Sequence, residues 1–554
     1  MRPIQHANHR YSRLTILCLY VLVLAFAMPA GTCHADEEFP WDMFLPAIVK
    51  NRNWPPIAIE NRRSGNPPGE WEVDGIGDAS IQGFATDFSV NHGKTVSFKI
   101  KTDAAAYRID IYRLGYYGGR GARKVATIQP SASLPQNQPV CLPDATTKLL
   151  DCGNWAVSAS WAVPADAVSG VYIARPVRAD TGGASHIVFV VRDDEGKSDM
   201  LFQTGDATWQ AFNKYGGSNL YRTGNDPTGN QRAYKVSYNR PFINRGSTSP
   251  FFERETFLFN TEYPMIRWLE ANGYNVSYAS AMDTDRRGAA TLKTHKVFLS
   301  VGHDEYVSAG QRANVEAARA AGVHLGFFTG NEYYWKTRWE ASIDGSGTPY
   351  RTLVCYHENW DGEKPKSYES WTGMWRDVYP ENALTGQWYA VDAPRYDPIT
   401  VSASEGKYPF WRNTGIDKLA DGQSAQLAAG MLGFEWDEVR DNGWLPSGLI
   451  RLSTTKVAVD LYKIRSGYTY SPPGVVTHSL SLYRHGSGAL VFGAGTIQWS
   501  WGLDAYHDIS GPPPDVRMQQ ATVNLFADMG VQPATLQPGL VRATQSVDAL
   551  APNP

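Results

Sequence analysis

Two short polar segments follow two apolar runs of the sequence, and each carries several side chains that could do chemistry. The first, Gly302–Tyr306 (GHDEY), follows the apolar run Val297–Val301. The second, Gly330–Trp335 (GNEYYW), follows the run Leu325–Phe328. Imidazole, carboxylate and phenol groups can move protons or bind a metal ion. The candidate catalytic residues are His303, Asp304, Glu305, Asn331 and Glu332.

The spacing of these segments predicts a strand–helix–strand unit that places both at one edge of a sheet. Short apolar runs such as Val297–Val301 are typical of buried parallel strands. Ser308 and Gln311 form an S-x-x-Q pattern that predicts the start of a helix, and Gly322 predicts its end. One polar segment alone could equally well be interpreted as a helix cap. Two at equivalent positions favour a site, because open α/β sheets bind ligands outside the carboxyl ends of their strands.

Oxygen- and nitrogen-bearing side chains dominate the candidate residues, and His357 and Glu358 add to them downstream. Such ligands suit ferric iron, manganese or zinc. Without a metal, Glu305 or Glu332 could act as a general base, with His303 as an acid or oxyanion donor. The motifs of a serine hydrolase of the usual α/β type, a zinc peptidase and a nucleotide enzyme are missing.

Length and composition narrow the classes of protein. A chain of 554 residues predicts two or three domains. The net charge of −3 gives no basic surface, so nucleic acid is not expected as a partner. Aromatic residues make up 12% of the chain, which suits extensive strands, long ordered loops and carbohydrate binding.

The N-terminus has the pattern of a cleaved signal peptide over residues 1–35. Basic residues precede the apolar segment Leu14–Ala27, and Ala35 before Asp36 is a possible cleavage point. We therefore expect a secreted or periplasmic protein without a stable membrane span, in an oxidising compartment. Cys141 and Cys152 could form a disulfide there, and Cys355 is expected to be a buried thiol.

The remaining pattern predicts a multidomain chain. Residues 36–57 are expected to form a linker or arm, and residues 58–195 a β-sandwich of short alternating strands. Residues 196–540 alternate strands and helices, which predicts an α/β flavodoxin-like domain with a parallel sheet. Residues 541–554 are the expected tail.

Three finer predictions concern elements of the α/β region. The segment 207–217 is rich in Trp, Asn and Gly and is expected to form a long loop. Amphipathic patterns predict helices over 264–272 and 514–530.

The segment from Val297 to Trp335 resembles the C-terminal domain of the N,N-dimethylformamidase large (β) subunit. The shared motifs are G-H-x-E-Y and, one helix later, G-N-x-x-Y-W. The resemblance covers about residues 198–535 and implies a class I glutamine amidotransferase-like fold. It also implies amide C–N hydrolysis at a ferric ion held by two Tyr and one Glu. By position, Tyr306 and Tyr334 match the two Tyr ligands, and Glu358 is the best candidate for the carboxylate.

Three functional hypotheses follow. The first is an exported hydrolase that cleaves an amide-type C–N bond of a small-molecule substrate, with Tyr306, Tyr334 and Glu358 on Fe(III); dimethylformamide itself is not the expected substrate. The second is a non-catalytic carbohydrate-binding or cell-surface protein on the same fold. The third is a metal-free carboxylate hydrolase, such as a glycosidase with a glycan substrate.

Overall fold

The computed structural model describes most of the chain after residue 53, with two largely antiparallel sheets first and a mixed sheet afterwards. The described residues are 54–222, 232–246, 254–358, 370–393, 395–460, 462–463 and 470–547. The predicted signal peptide and most of the predicted arm lie outside these ranges. The described residues belong to one compact unit, and the predicted domain boundary at 195/196 stays a prediction.

Residues 54–192 contain two short helices and ten strands. The helices are α1 (Pro56–Glu60) and α2 (Pro68–Trp71). The strands are β1 (Ile81–Ala85), β2 (Ser89–Asn91), β3 (Thr95–Thr102), β4 (Tyr107–Leu114), β5 (Ala122–Ile128), β6 (Leu142–Asp144), β7 (Leu149–Asp151), β8 (Ala159–Ala162), β9 (Gly170–Arg178) and β10 (Ile187–Arg192). One sheet has the order β1-β3-β8 and the other β2-β10-β9-β4-β5.

Side chains from both of these sheets share one hydrophobic cluster. Strand β3 alternates exposed and buried positions, the period of two that a half-buried strand requires. Its Phe98 lies edge-on to Phe189 of β10, with ring centroids 5.6 Å apart. Nearby, Cys141 and Cys152 form a disulfide. The all-β character of the region agrees with the sequence pattern, while its description as a β-sandwich stays a prediction.

The rest of the chain carries the elements of the candidate site. The strands are β11 (Met200–Thr204), β12 (Lys235–Ser237), β13 (Val276–Ser280), β14 (Val297–Gly302), β15 (Tyr306–Ser308), β16 (His324–Thr329), β17 (Trp335–Glu340), β18 (Thr352–Val354), β19 (Trp388–Asp392), β20 (Thr400–Ser402), β21 (Ser424–Gln426), β22 (Glu435–Glu438), β23 (Ile450–Arg451), β24 (Thr455–Val459), β25 (Tyr462–Lys463), β26 (Tyr470–Ser471), β27 (Gly474–His478), β28 (Ser481–Arg484) and β29 (Leu490–Gly493).

Helices α3 to α10 lie between and after these strands. They are α3 (Asp206–Phe212), α4 (Leu258–Thr261), α5 (Tyr263–Ala271), α6 (Ala281–Arg286), α7 (Ala289–Leu292), α8 (Ala309–Ala320), α9 (Asn382–Thr385) and α10 (Val516–Asp528). Short 3₁₀ turns add to them. The helices predicted over 264–272 and 514–530 are confirmed as α5 and α10, each within two residues at either end.

The largest sheet has seven strands in the order β13-β11-β14-β16-β29-β28-β23. The first five are parallel. Strand β28 runs antiparallel to both β29 and β23. The prediction of a parallel sheet is therefore wrong at this edge, because a short turn joins β28 to β29 and a turn of that length can join only antiparallel neighbours.

Helix α3 corrects the prediction of a long loop over 207–217. The Trp- and Asn-containing sequence of Asp206–Phe212 forms a helix whose residues are all buried. Trp209 lies in the hydrophobic core and contacts Phe88, Phe242 and Phe257 edge-on. Packing against these rings from distant parts of the chain outweighs the weak helix propensity of the local sequence.

Helix α8 starts and ends where the sequence predicts. Ser308 Oγ accepts a hydrogen bond from the backbone N–H of Gln311 at 3.1 Å, as an N-cap does. The Gln311 side chain donates to Gln203 at 3.1 Å, so the reciprocal half of the predicted capping box is not formed. Gly322 follows the helix with a φ of +97°, the conformation expected of a residue after a C-cap.

Among the described residues, no helix is long and apolar enough to cross a membrane.

Candidate functional site

Strands β14, β16 and β29 are neighbours, and the segments that follow them meet at one sheet edge. Gly302, at the end of β14, lies opposite Thr329 of β16 in a parallel register. A Cβ at Gly302 would lie 2.6 Å from the side chain of Thr261, and φ there is +80°. A Cβ at Gly330 would lie 2.8 Å from the backbone of Thr496, in the turn after β29. Both glycines permit this close approach of chain segments.

Strand β22 brings a carboxylate to the same edge from far along the chain. Trp436 bridges Thr496 in the turn after β29. The backbone N–H of Asp437 donates to the carbonyl of Gly495 at 2.9 Å. These contacts place Glu435, the first residue of β22, beside the segments that follow β14 and β16.

His303 and Glu435 form a buried ion pair, with Nε2 and Oε2 2.7 Å apart. Asn331 Nδ2 donates to the same carboxylate oxygen at 2.9 Å, and the Tyr389 hydroxyl donates to the other oxygen at 2.9 Å. Burial alone would lower the pKa of His303, but Glu435 reverses this and the pKa lies above its usual value. Burial would raise the pKa of Glu435, but His303 holds it below its usual value. The charged forms are therefore favoured together.

Glu305 lies beside this pair. Its Oε2 is 3.6 Å from His303 Nε2 and has no hydrogen-bond partner among the described residues. Its Oε1 accepts a hydrogen bond of 2.6 Å from the hydroxyl of Tyr221. Burial raises the pKa of Glu305 to about 7. The carboxyl group is thus close to balance between its acid and carboxylate forms at neutral pH.

Two phenols and an imidazole complete the buried polar group around Glu305. The rings of Tyr221 and Tyr306 meet edge-on with centroids 6.2 Å apart. The Tyr306 hydroxyl lies 3.0 Å from His357 Nε2, and His357 stacks on Trp335 at 3.9 Å. Burial, with Glu305 adding to it, raises the pKa of both phenols well above the usual value. Burial lowers the pKa of His357, so this imidazole is neutral.

Asp304 and Glu332 interact with residues other than His303 and Glu435. Asp304 accepts hydrogen bonds from Gln203 at 2.7 Å and from Ser300 at 2.8 Å, which tie it to strands β11 and β14. Burial raises the pKa of Asp304 to about 7. Glu332 is buried, and burial together with the nearby carboxylate of Asp437 raises its pKa well above the usual value. Glu332 is therefore favoured in the neutral form, whereas Asp304, like Glu305, is close to balance between its two forms at neutral pH.

The structure gives separate partners to the three predicted metal ligands. Tyr306 belongs to the group around Glu305. The Tyr334 ring faces the Arg376 guanidinium at 4.7 Å, and burial raises its pKa to about 12. Glu358 Oε2 accepts a hydrogen bond of 2.6 Å from the backbone N–H of Thr372. Within the described ranges, no group of three or more His, Cys, Asp and Glu side chains is arranged to hold a metal ion.

Unusual backbone conformations concentrate in this region. Asn331, Tyr333 and His357 have positive φ values of 48°, 56° and 47°. Such conformations cost of order 1–3 kcal/mol each and persist where the surrounding structure imposes them. The strain at Asn331 turns the chain so that its backbone N–H meets Asp437 at 2.9 Å while its side chain meets Glu435.

Sequence reasoning missed three residues of the site: Tyr221, Tyr389 and Glu435. Glu435 stands in the strand-like run Gly430–Asp437, in which a carboxylate among apolar residues is a signal of a buried polar role. Tyr221 and Tyr389 had no such signal, because a tyrosine in an aromatic-rich chain is usually a core residue.

The described residues form a β-rich fold of several sheets, with a buried His–Glu pair at the carboxyl ends of parallel strands. The family described as N,N-dimethylformamidase beta subunit-like, C-terminal, matches residues 108–511. The chain belongs to this family. The membership supports a related hydrolase at the level of the family, and the match extends into the all-β region.

Other comparisons add little. No curated protein matches the chain. Among solved structures, a Paenibacillus sp. cycloisomaltooligosaccharide glucanotransferase complexed with cycloisomaltoheptaose is 8% identical, with a TM-score of 0.15. The match covers 59% of this chain and 62% of that one. Likeness at this level carries no argument about function.

Proposed function

We propose that this protein hydrolyses an amide-type C–N bond of a small molecule at the site formed by His303, Glu435 and Glu305. The observation that carries the proposal is the 2.7 Å contact between His303 Nε2 and Glu435 Oε2, with a second carboxylate 3.6 Å from the same nitrogen. Carboxylates and an imidazole with shifted pKa values inside a fold are typical of acid–base catalysis.

The His303–Glu435 pair would carry the proton that amide hydrolysis has to move. The attacking water loses a proton, and the amine nitrogen must gain one before it leaves. Glu435 holds the imidazole in place and favours its protonated form, so His303 can give a proton to the amine nitrogen and then recover the proton that the attacking water loses. Asn331 and Tyr389 fix Glu435 by hydrogen bonds of 2.9 Å each.

The ferric ion implied by the resemblance fits a revised ligand set. The structure brings together Glu305, Tyr221 and Tyr306, one carboxylate and two phenols, and Glu305 Oε2 has no hydrogen-bond partner among the described residues. Oxygen donors of this kind suit Fe(III). Ferric iron, when bound there, supplies Lewis acidity that polarises the amide carbonyl and lowers the pKa of the attacking water.

The proposal also includes the predicted flavodoxin-like core, the predicted export of the protein and the predicted β-sandwich module. The strand order β13-β11-β14-β16, which is 2-1-3-4 in chain order, supports a flavodoxin-like core. The signal peptide pattern of residues 1–35 supports a site of action outside the cytoplasm. The long all-β region supports a separate β-sandwich module over 58–195.

A metal-free carboxylate hydrolase built on Glu305 and Glu332 has less support. Glu305 interacts with His303 and Tyr221, whereas Glu332 lies by Asp437 and is favoured in the neutral form. These two glutamates therefore have different neighbours. The two carboxyl groups of an acid–base pair must instead act on the same substrate bond.

The test is a screen of the full-length protein against formamides, acetamides and N-acyl amines, with release of the free amine as the readout. We expect at least one amide to be hydrolysed, with a loss of about 10²-fold or more in His303→Asn. The matched control is His485→Asn, which changes a half-buried histidine away from the site. Hydrolysis that survives in His303→Asn at the rate of this control would contradict the proposal.

A further inference from the structure

A cavity of about 320 Å³ lies beside strand β17 and contains none of the residues of the candidate catalytic site. Its volume falls in the lower part of the ~300–1,000 Å³ range of small-molecule sites. The lining residues that matter are Asp285, Thr337, Arg338, Trp339, Glu340 and Tyr350. The aromatic, hydroxyl, carboxylate and guanidinium groups in this set decide what the cavity could bind.

Two polar groups of the lining residues lack hydrogen-bond partners within the described part of the chain. They are the hydroxyl of Thr337, a residue that is only 1% exposed, and the indole N–H of Trp339. Both atoms are shielded from solvent, so a ligand in the cavity makes its hydrogen bonds with the partly exposed Arg338 and Glu340 side chains instead.

Aromatic rings form one side of the cavity. The rings of Trp339 and Tyr350 have centroids 5.8 Å apart and are inclined at 46°. Tyr238 packs against Trp339 at 5.4 Å. Tyr350 has a positive φ of 58°, a conformation that is costly for a tyrosine. Its hydroxyl donates to Asp285 at 3.1 Å, which fixes the ring at the cavity.

The charged side chains around the cavity form ion pairs with one another. Arg338 pairs with Glu340 at 2.6 Å, and Lys235 pairs with the same carboxylate at 2.5 Å. Asp285 lies against the first turn of α8, where a Cβ at Gly310 would lie 2.8 Å from its oxygens. The Asp285 carboxylate already occupies the N-terminus of α8, so an anionic ligand does not bind there. The balance of charge favours a neutral ligand with many hydroxyl groups.

We propose that this cavity is a binding site for a neutral saccharide. Apolar faces of a sugar ring would pack on Trp339 and Tyr350. Its hydroxyl groups would form hydrogen bonds with the Arg338–Glu340 pair. The site is separate from the hydrolytic site, and its existence does not depend on the proposed activity.

Titration calorimetry of the full-length protein with maltose, cellobiose and chitobiose tests the proposal. We expect at least one of them to bind below about 10 mM. Trp339→Ala should weaken binding at least tenfold, and Glu340→Gln, which keeps the shape of the side chain, several-fold. Trp444→Ala, which removes a tryptophan that is 51% exposed outside the cavity, is the matched control.

Circular dichroism establishes that each variant folds. Glu435→Gln should bind the sugar as the unchanged protein does, which separates this site from the proposed catalytic one. The proposal is overturned if none of the three sugars binds, if Glu340→Gln and Trp339→Ala bind as tightly as Trp444→Ala, or if inorganic phosphate binds more tightly than any sugar.

Discussion

At the scale of residues, the buried carboxylates differ in pKa because their surroundings differ, not because their residue types do. Glu435 faces His303 and is favoured in the ionised form. Burial raises the pKa of Glu305 to about 7 and that of Asp437 to about 8. Glu332 is favoured in the neutral form. A site that divides its carboxylates in this way has both an acid and a base within one fold.

The first prediction concerns the ligands of the proposed ferric site. Loading the protein with Fe(III) should produce a visible phenolate-to-iron absorption band and about one iron per chain by elemental analysis. Tyr221→Phe and Glu305→Gln should weaken the band strongly. Tyr334→Phe and Glu358→Gln, which change the ligands first expected from the resemblance, should retain it. If Tyr334→Phe and Glu358→Gln weaken the band while the other two variants retain it, the ligands are instead those first expected from the resemblance.

Part of this residue-level account could be predicted from the sequence. His303, Glu305, Asn331 and Tyr306 stand in the polar segments that follow two apolar runs, and the structure gathers all four at one edge. Glu435 could not be placed, because its approach depends on the pairing of β22 with the turn after β29. Tyr221 lies on a loop whose path no local pattern fixes.

At the scale of elements, three parallel strands and their turns build the site. The sequence predicted β14, α8 and β16 well, because a short apolar run and clear helix caps are local signals. It did not predict that α3 is a helix or that β28 makes the sheet mixed. Both outcomes depend on packing between segments that are distant in the chain.

The second prediction concerns the link between β16 and β29. His324 Nδ1 accepts a hydrogen bond of 2.8 Å from the backbone N–H of Leu490. Burial lowers the pKa of His324 from 6.5 to about 4. Between these pH values the unfolded chain binds more protons than the folded protein, so the contribution of His324 to stability is lost as the pH falls.

His324→Gln removes this titration while keeping a side chain that can accept a hydrogen bond. Thermal unfolding followed from pH 7 to pH 4 should therefore show a smaller fall of Tm in the variant than in the unchanged protein. Parallel Tm curves in the two proteins would show that His324 does not titrate in this window.

At the scale of the whole molecule, a buried ion pair joins the all-β region to the region that carries the site. Arg113 of β4 makes two hydrogen bonds of 2.8 Å with Glu270 of α5, and both side chains are fully buried. Tyr117 and Tyr278 complete the network through their hydroxyl groups. The family match from residue 108 to residue 511 includes parts of both regions.

The third prediction tests this connection. Arg113→Met leaves the Glu270 carboxylate buried without its charged partner, which should lower the free energy of unfolding by about 3–5 kcal/mol. The double variant Arg113→Met/Glu270→Leu should recover a large part of the loss, because no uncompensated charge remains. Urea unfolding measures both values. Equal losses in the single and double variants would show that the ion pair has no special role.

The measurement that tests the central claim most directly is kcat/KM for the best amide substrate in Glu435→Gln. This substitution keeps the shape of the side chain but removes the charge that faces His303 at 2.7 Å. The account predicts a loss of about 10²-fold or more, with little change in Glu316→Gln, the matched control, a half-buried glutamate of α8 that pairs with Arg312. A value for Glu435→Gln within about twofold of the unchanged protein would contradict the assignment of the His303–Glu435 pair as the hydrolytic site.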